Sequence, residues 1–321
     1  MNKKQLIKRS KEIRLRKDNM KEVVKKGGLV KKQDEGFRVV VPPLVHNNSL
    51  ENSSDKWYFN GFVIDLHGDL IIVDPGVDFY SRFSKTGLNL MNAIAVIITH
   101  SHTDHIASLS VIIEKLLRDK VTKRQFFISK LAFEDELSDY HQEMVRKSKN
   151  TTLVLLSEGK GIFKTLLGKH KIEFVPLVHS AKETFGFKIK HKKNIFGHVS
   201  DTGYSIKIET NEGVYPPEEV KGEFRQIVEK QEYLKKFYRK CDIVAVNIND
   251  LHYNRHSKYH LSGWDVLDLF KGTSVRKLIF LHLSPANAEC IGGNEIYTAF
   301  FKSENYETFL PISEGLVIED D

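Results

Sequence analysis

Cysteine is nearly absent: the 321 residues contain two, Cys241 and Cys290. Two thiols cannot make a disulfide framework. A disulfide-stapled secreted domain is therefore excluded, and a reduced, cytoplasmic protein is the expectation. Long apolar runs are also missing. No stretch approaches the ~20 residues that a membrane-crossing helix needs. The N-terminal segment is charged from Lys3 onward and carries no apolar stretch of signal-peptide type. Proline (8) and glycine (20) are too few for a collagen-like or low-complexity chain. What remains is 40% apolar residues, enough for a packed core, in a length suited to one large or two ordinary domains.

Acidic residues are scarce in one place. Residues 1–36 hold 13 Lys/Arg against 5 Asp/Glu, while the rest of the chain holds 36 against 37. A basic tail thus precedes an almost neutral body, and the net charge of +7 describes neither part. Leu6, Ile13, Met20 and Val24 form a narrow apolar stripe that predicts a helix over residues 3–26, stopped by Gly27-Gly28. The expected organisation is a basic helical extension over 1–36 and a body over 37–321. The extension fits three roles: a solvated arm that packs its stripe on the body, a contact surface for nucleic acid, or a self-association stripe.

The body alternates strands and helices. Arg38–Val41 is a β-branched run that stops at Pro42-Pro43, and a polar loop, 47–56, follows. Trp57–Leu66 and Leu70–Val73 flank His67-Gly68-Asp69 as a hairpin, ended by Asp74-Pro75-Gly76. Ala93–Ile98 is continuously apolar, as a strand buried on both faces should be. Ile106–Leu117 has helical spacing. Phe126–Ser129 and Thr152–Leu155 read as strands with a helix over Ala132–Lys147 between them. Ile172–Val178 leads into His179, and Phe185–Lys190 pairs with Ile195–Ser200 as a second hairpin. Residues 218–240 read as a charged helix, Ile243–Val246 as a buried strand, Gly263–Phe270 as a helix capped by Ser262, and Leu278–Leu281 as a strand ending at His282. These elements predict a mixed α/β sandwich with sheets inside and helices outside.

The segment that carries chemistry is Thr99-His100-Ser101-His102-Thr103-Asp104-His105. It follows a buried strand and precedes a helix. Imidazole and carboxylate suit Zn²⁺ and related divalent ions. His100 and His102, two apart, can converge on one ion; Asp104 and His105, past the bend, can reach a second. Uncoordinated imidazoles this close would repel one another on protonation.

This stretch resembles the H-x-H-x-D-H signature of the metallo-β-lactamase superfamily, and the resemblance continues in order over residues 57–285. It implies that fold's αββα sandwich. It implies two divalent ions, Zn²⁺ first with Mn²⁺ as the alternative. One would be held by His100, His102 and His179, the other by Asp104, His105 and His282, with Asp201 of Ser200-Asp201-Thr202-Gly203 joining both. Asp74 matches the aspartate that ends an early strand and would orient a metal-bound imidazole; a turn-forming Asp before Pro75 is its plainer reading. Tyr259-His260-Leu261-Ser262 resembles the arrangement in the ribonuclease Z branch, where a His before such a helix protonates the leaving group. A bystander next to the helix cap is the alternative for His260. The glycine-rich first strand of that branch is absent, and Asn247 stands where an acidic partner for the catalytic His is expected. The other eight histidines, His46, His67, His141, His170, His191, His198, His252 and His256, have no usable spacing.

The function these residues imply is a dinuclear-metal phosphodiesterase. A metal-bridging hydroxide would act as nucleophile, with Asp104 and Asp74 among the site residues and His260 as leaving-group acid. The expected substrate is RNA, single-stranded nucleic acid or a cyclic nucleotide. The same metal set supports hydrolysis of a lactam, lactone or thioester. A binding module that docks a partner through the basic helix is the non-enzymatic alternative. Relatives of this type often dimerise, so a homodimer is the assembly the resemblance implies.

Overall fold

The computed structural model describes residues 37–42, 61–157, 161–220, 224–282, 301, 306–309 and 316–319. The expected helix over 3–26, the polar loop 47–56, residues 57–60 of the first hairpin and Cys290 lie outside them. Two large sheets form the body. The first contains β1 (Arg38–Val41), β2 (Phe62–Leu66), β3 (Asp69–Val73), β4 (Ala93–Ile98), β5 (Arg124–Ser129), β6 (Thr151–Leu156) and β18 (Leu316–Glu319), in the order β18-β1-β2-β3-β4-β5-β6. The second contains β7 (Phe163–Leu167), β8 (His170–Leu177), β9 (Thr184–His191), β10 (Asn194–Val199), β14 (Ile243–Asp250), β16 (Lys277–Leu281) and β17 (Glu307–Phe309), in the order β17-β16-β14-β10-β9-β8-β7. The short β15 (Leu261–Ser262) pairs with β14. A separate small sheet has the order β12 (Val214–Tyr215), β11 (Ser205–Thr210), β13 (Phe224–Lys230).

The continuous apolar strands are explained by burial on both faces. In β4, Ala95 and Ile97 join Phe62, Ile64, Phe187, Phe196 and Ile279 in a core between the two sheets. Val96 and Ile98 face the other way, onto Ile112, Ile113, Leu116 and Phe133 of the helices outside the first sheet. The same alternation splits β14: Ile243 and Ala245 point to the inter-sheet core, while Val244 and Val246 pack under Leu234, Phe237, Val266 and Leu269. A two-residue period on both sides of each sheet gives helix–sheet–sheet–helix layers. The outer helices are α1 (Phe79–Phe83), α2 (Thr103–Ile106), α3 (Leu109–Leu117), α4 (Lys130–Glu134), α5 (Asp139–Lys147), α6 (Glu232–Tyr238) and α7 (Gly263–Phe270).

Strand direction decides where chemistry can gather. β3, β4 and β5 run parallel, with Val73 beside Ile97 and Ile98 beside Ile128. In the second sheet β10, β14 and β16 run parallel, with Val199 beside Val246 and Asn247 beside Leu281. Their C-terminal ends deliver Asp74, Thr99-His100, Ser200-Asp201 and His282 to one edge of the sandwich, where Asn247 of β14 lies beside the end of β16. Carboxyl ends of parallel strands are where open α/β sheets place their sites.

Two helical expectations need correction. Residues 218–240 are not one helix: β13 occupies Phe224–Lys230, and α6 follows. The charges mislead because β13 lies in the small outer sheet, antiparallel to β11. There Arg225 bonds Asn211 at 2.7 Å and Glu229 faces Lys207 at 2.7 Å. The expected helix Ala132–Lys147 is two helices broken at 135–138. Gln142 Nε2 donates to the carbonyls of Glu134 (3.1 Å) and Leu137 (2.9 Å), satisfying the backbone at the break.

Candidate metal centre

His100, His102, His179 and Asp201 each offer a ligand atom within 4.8 Å of the others; so do Asp104, His105 and His282, and so do Asp201, His260 and His282. Asp201 sits between them. Around its Oδ2 lie His282 Nε2 at 3.3 Å, His105 Nε2 at 3.6 Å, His100 Nε2 and His179 Nε2 at 3.7 Å, and His260 Nδ1 at 3.8 Å. Apart from that to His282, these separations are too long for hydrogen bonds. They approach the spacing of atoms that share an ion, roughly 3–3.5 Å for donors each about 2 Å from it. Asp201 Oδ2 and His100 Nε2 are fully buried with no hydrogen-bond partner. A buried carboxylate oxygen and a buried imidazole nitrogen facing each other without partners cost several kcal/mol between them unless a cation lies there. The donor set therefore fits divalent ions, and His100, His102, His179, Asp201, Asp104, His105 and His282 are the residues that could hold them.

The surrounding groups fix which nitrogen points inward. Asp74, at a left-handed φ of 43°, accepts from the Thr99 amide (2.8 Å), the Thr99 hydroxyl (2.7 Å) and His105 Nδ1 (2.9 Å). That bond turns His105 Nε2 toward Asp104 and Asp201. His179 Nδ1 donates to the Tyr259 carbonyl at 3.0 Å, leaving Nε2 3.1 Å from His102 Nδ1. His282 Nε2 lies 3.2 Å from Asp104 Oδ2. Asn247, buried within β14, donates its amide to Asp201 Oδ1 at 2.7 Å. One oxygen of Asp201 is thus held while the other faces the imidazoles.

The electrostatics follow from burial and crowding. Burial would raise the Asp201 carboxyl, but His282 and His105 override it and hold it well below the usual carboxylate range. Asp74 is lowered in the same way by His105. Burial lowers His100, helped by His105 and His179. His105 is instead raised, because Asp74, Asp201 and Asp104 outweigh its burial. Burial, with His282 and His179 beside it, presses His260 down to about 4 against the opposing pull of Asp201.

His260 belongs to this group and is not remote from it. It ends a tight turn before α7, and its ring stacks on His282 at 5.3 Å. Ser262 is the N-cap of α7 in a reciprocal pair with Asp265, as its position suggested. Gly203 lets this turn close against the Asp201 loop, since a Cβ there would stand 2.1 Å from the Lys258 carbonyl oxygen. Sequence reasoning missed three contributors: Thr99, the anchoring role of Asn247, and His198. The His198 imidazole is buried behind the centre, with Nε2 3.8 Å from Asp74. Their only local signal is polarity at the end of an apolar strand.

A four-layer αββα sandwich with a His/Asp cluster at its strand ends is the arrangement of the metallo-β-lactamase fold. Residues 70–220 match the family model of the beta-lactamase superfamily domain, and the chain has the metallo-β-lactamase fold. No curated protein matches the sequence. Among solved structures, it is similar to the metallo-beta-lactamase fold protein YhfI from Bacillus subtilis, at 15% identity and a TM-score of 0.62, covering 88% of this chain and 99% of that one. Zn²⁺-bound PqqB from Methylobacterium extorquens gives 12%, 0.58, 88% and 99%. The short form of human tRNase Z gives 12%, 0.56, 88% and 98%.

Proposed function

We propose that the protein is a dinuclear-metal phosphodiesterase acting on a nucleic-acid-type phosphodiester, with His260 as the leaving-group acid. The ions, Zn²⁺ or Mn²⁺, would be held by His100, His102 and His179 on one side and Asp104, His105 and His282 on the other, with Asp201 between. When bound they supply an activated water and Lewis-acid stabilisation of negative charge. Asp74 holds the proton on His105 Nδ1, and the Tyr259 carbonyl holds the proton on His179 Nδ1. Asn247 keeps Asp201 from rotating. The presence of a tRNase Z among the chains with this fold supports phosphodiester chemistry on it.

The observation that carries this reading is the environment of His260. Its side chain is only 20% exposed and stands among His179, His282 and Asp201, and its pKa is pressed to about 4. Such a group is neutral in the free protein at pH 7. An anionic phosphodiester beside it favours the imidazolium; a neutral ester or lactam does not. An anionic substrate beside His260 thus offsets part of what holds its imidazole neutral. The test uses metal-loaded protein with the dinucleotide UpU, whose alkoxide leaving group needs a proton, and with p-nitrophenyl acetate. His260→Ala should lower kcat on the diester about 10²-fold and leave the ester rate within twofold. An equal loss on both substrates, or no diester turnover with two ions bound, rejects the reading; ester turnover alone would support carbonyl hydrolysis instead.

A further inference from the structure

From Leu251 to His260 the chain reads Leu-His-Tyr-Asn-Arg-His-Ser-Lys-Tyr-His, with two permanent cations and no acid. Residues 254–260 form a closed turn. Ser257 N bonds the Asn254 carbonyl at 2.9 Å, His260 N bonds the His256 carbonyl at 3.0 Å, and the Asn254 amide returns to Ser257 Oγ at 2.8 Å. The turn is held to the candidate metal centre by the hydrogen bond of the Tyr259 carbonyl with His179, and its Lys258 carbonyl packs closely over Gly203. A row of side chains runs outward from the centre. His260 stacks on His282, His256 lies 6.5 Å from His260, and Arg255 Nε donates to His256 Nε2 at 3.0 Å. Arg255 and His256 are exposed. Lys258 faces Glu218 at 3.8 Å, whereas Arg255 has no carboxylate partner among the described residues. With its Nε tied to an imidazole, its two terminal nitrogens form a fork that matches a phosphate group.

We propose that Arg255, oriented by His256, is a subsite for a second phosphate of the substrate, and hence that the substrate is a single-stranded oligonucleotide. This inference rests on the phosphodiester reading above. A cyclic mononucleotide brings one phosphate, which the centre itself engages, and leaves Arg255 without a ligand. A strand brings neighbouring phosphates along a path past the scissile bond. The bond to His179 and the close fit over Gly203 keep the fork from drifting away from that path, so its contact adds to binding without touching the reacting atoms.

The experiment compares wild-type and Arg255→Ala holoenzyme on hexauridylate, on the dinucleotide UpU and on bis-p-nitrophenyl phosphate. A parallel binding measurement follows the anisotropy of 5′-fluorescein-hexauridylate in a His260→Ala background, where the probe is consumed about 10²-fold more slowly. The expected result is a KM for hexauridylate raised about tenfold with kcat unchanged, and no change for bis-p-nitrophenyl phosphate. The dissociation constant should rise similarly, and the slope of log affinity against log salt should fall by about 0.7 for the one lost phosphate contact. Arg255→Lys should recover part of the binding. Equal KM and equal dissociation constants with and without Arg255 overturn the subsite. So does efficient hydrolysis of a cyclic mononucleotide that exceeds that of hexauridylate. If wild-type protein does not hydrolyse bis-p-nitrophenyl phosphate, the phosphodiester reading fails, and the anisotropy decides the subsite by itself.

Discussion

Asn247 is the residue whose meaning changes most between sequence and structure. As an Asn where an acid is expected, it looks like a defect in the partner of His260. In the fold its amide bonds Asp201 Oδ1 and lets Oδ2 face five imidazoles. A neutral donor is better suited there than a second buried carboxylate, because two adjacent acids would resist ionising together. Asn247→Leu keeps the approximate volume and removes the donor. It should weaken metal affinity about 10–100-fold, read by chelator competition, with an unchanged far-ultraviolet dichroism spectrum. Unchanged affinity would mean that Asp201 holds its orientation without help.

The elements act through the turns that join them. The turn before α7 carries His260 and fits only because Gly203 has no side chain. Gly203→Ala would place a methyl 2.1 Å from the Lys258 carbonyl oxygen and force the turn outward. It should cost about 1–3 kcal/mol in urea unfolding and lower diester turnover more than ester turnover. At the opposite ends of the strands, the Nδ1 atoms of His191, at the end of β9, and His170, at the start of β8, are hydrogen-bonded at 3.2 Å. Burial, followed by His170, His67, Lys192 and Lys169, lowers His191 to about 4, while Asp69 is the acid that faces His170. The folded value lies below the unfolded one of about 6.5. The unfolded chain therefore takes up the proton first as pH falls. Stability from this pair is intact above pH 6.5 and is lost between about 6.5 and 4. His191→Phe should flatten that decline when unfolding free energy is measured across the interval; an unchanged slope would assign the decline to other groups.

At the scale of the whole molecule, the two sheets meet along one core and their strand ends meet at one cluster. Asp74, His100, His102, Asp104 and His105 come from the first sheet's side, and His179, Asp201, His260 and His282 from the second. Ions placed there tie the halves together, and an ion that binds only the folded state stabilises it by mass action. Chelation should lower the unfolding temperature by several degrees, with recovery on adding Zn²⁺ or Mn²⁺. A melting curve indifferent to chelator, at confirmed metal loss, would argue against ions spanning the two sheets. No helix among the described residues is long and apolar enough to cross a membrane.

Much of this was legible before any coordinates. The apolar runs of β3, β4, β14 and β16 announce strands buried on both faces, because only a layer covered on both sides tolerates uninterrupted Val, Ile and Phe. The ligand types and their places at strand ends are also local: a motif of six residues and a polar residue after each run. β13 was not legible, since charge mimics a helix unless its antiparallel partner β11 is known. The break between α4 and α5 depends on Gln142 reaching back to two carbonyls, which no spacing rule encodes. Convergence is also a property of the fold alone. Thr99 and Ser200 lie 101 positions apart, yet their hydroxyls bond at 2.8 Å. The sequence by itself determined which side chains were chemically able to bind metal. Only the parallel registers of two sheets decided that they do face one another, that Asn247 anchors Asp201, and that the turn bearing Arg255 and His260 closes over Gly203, because each depends on contacts between residues far apart in the chain.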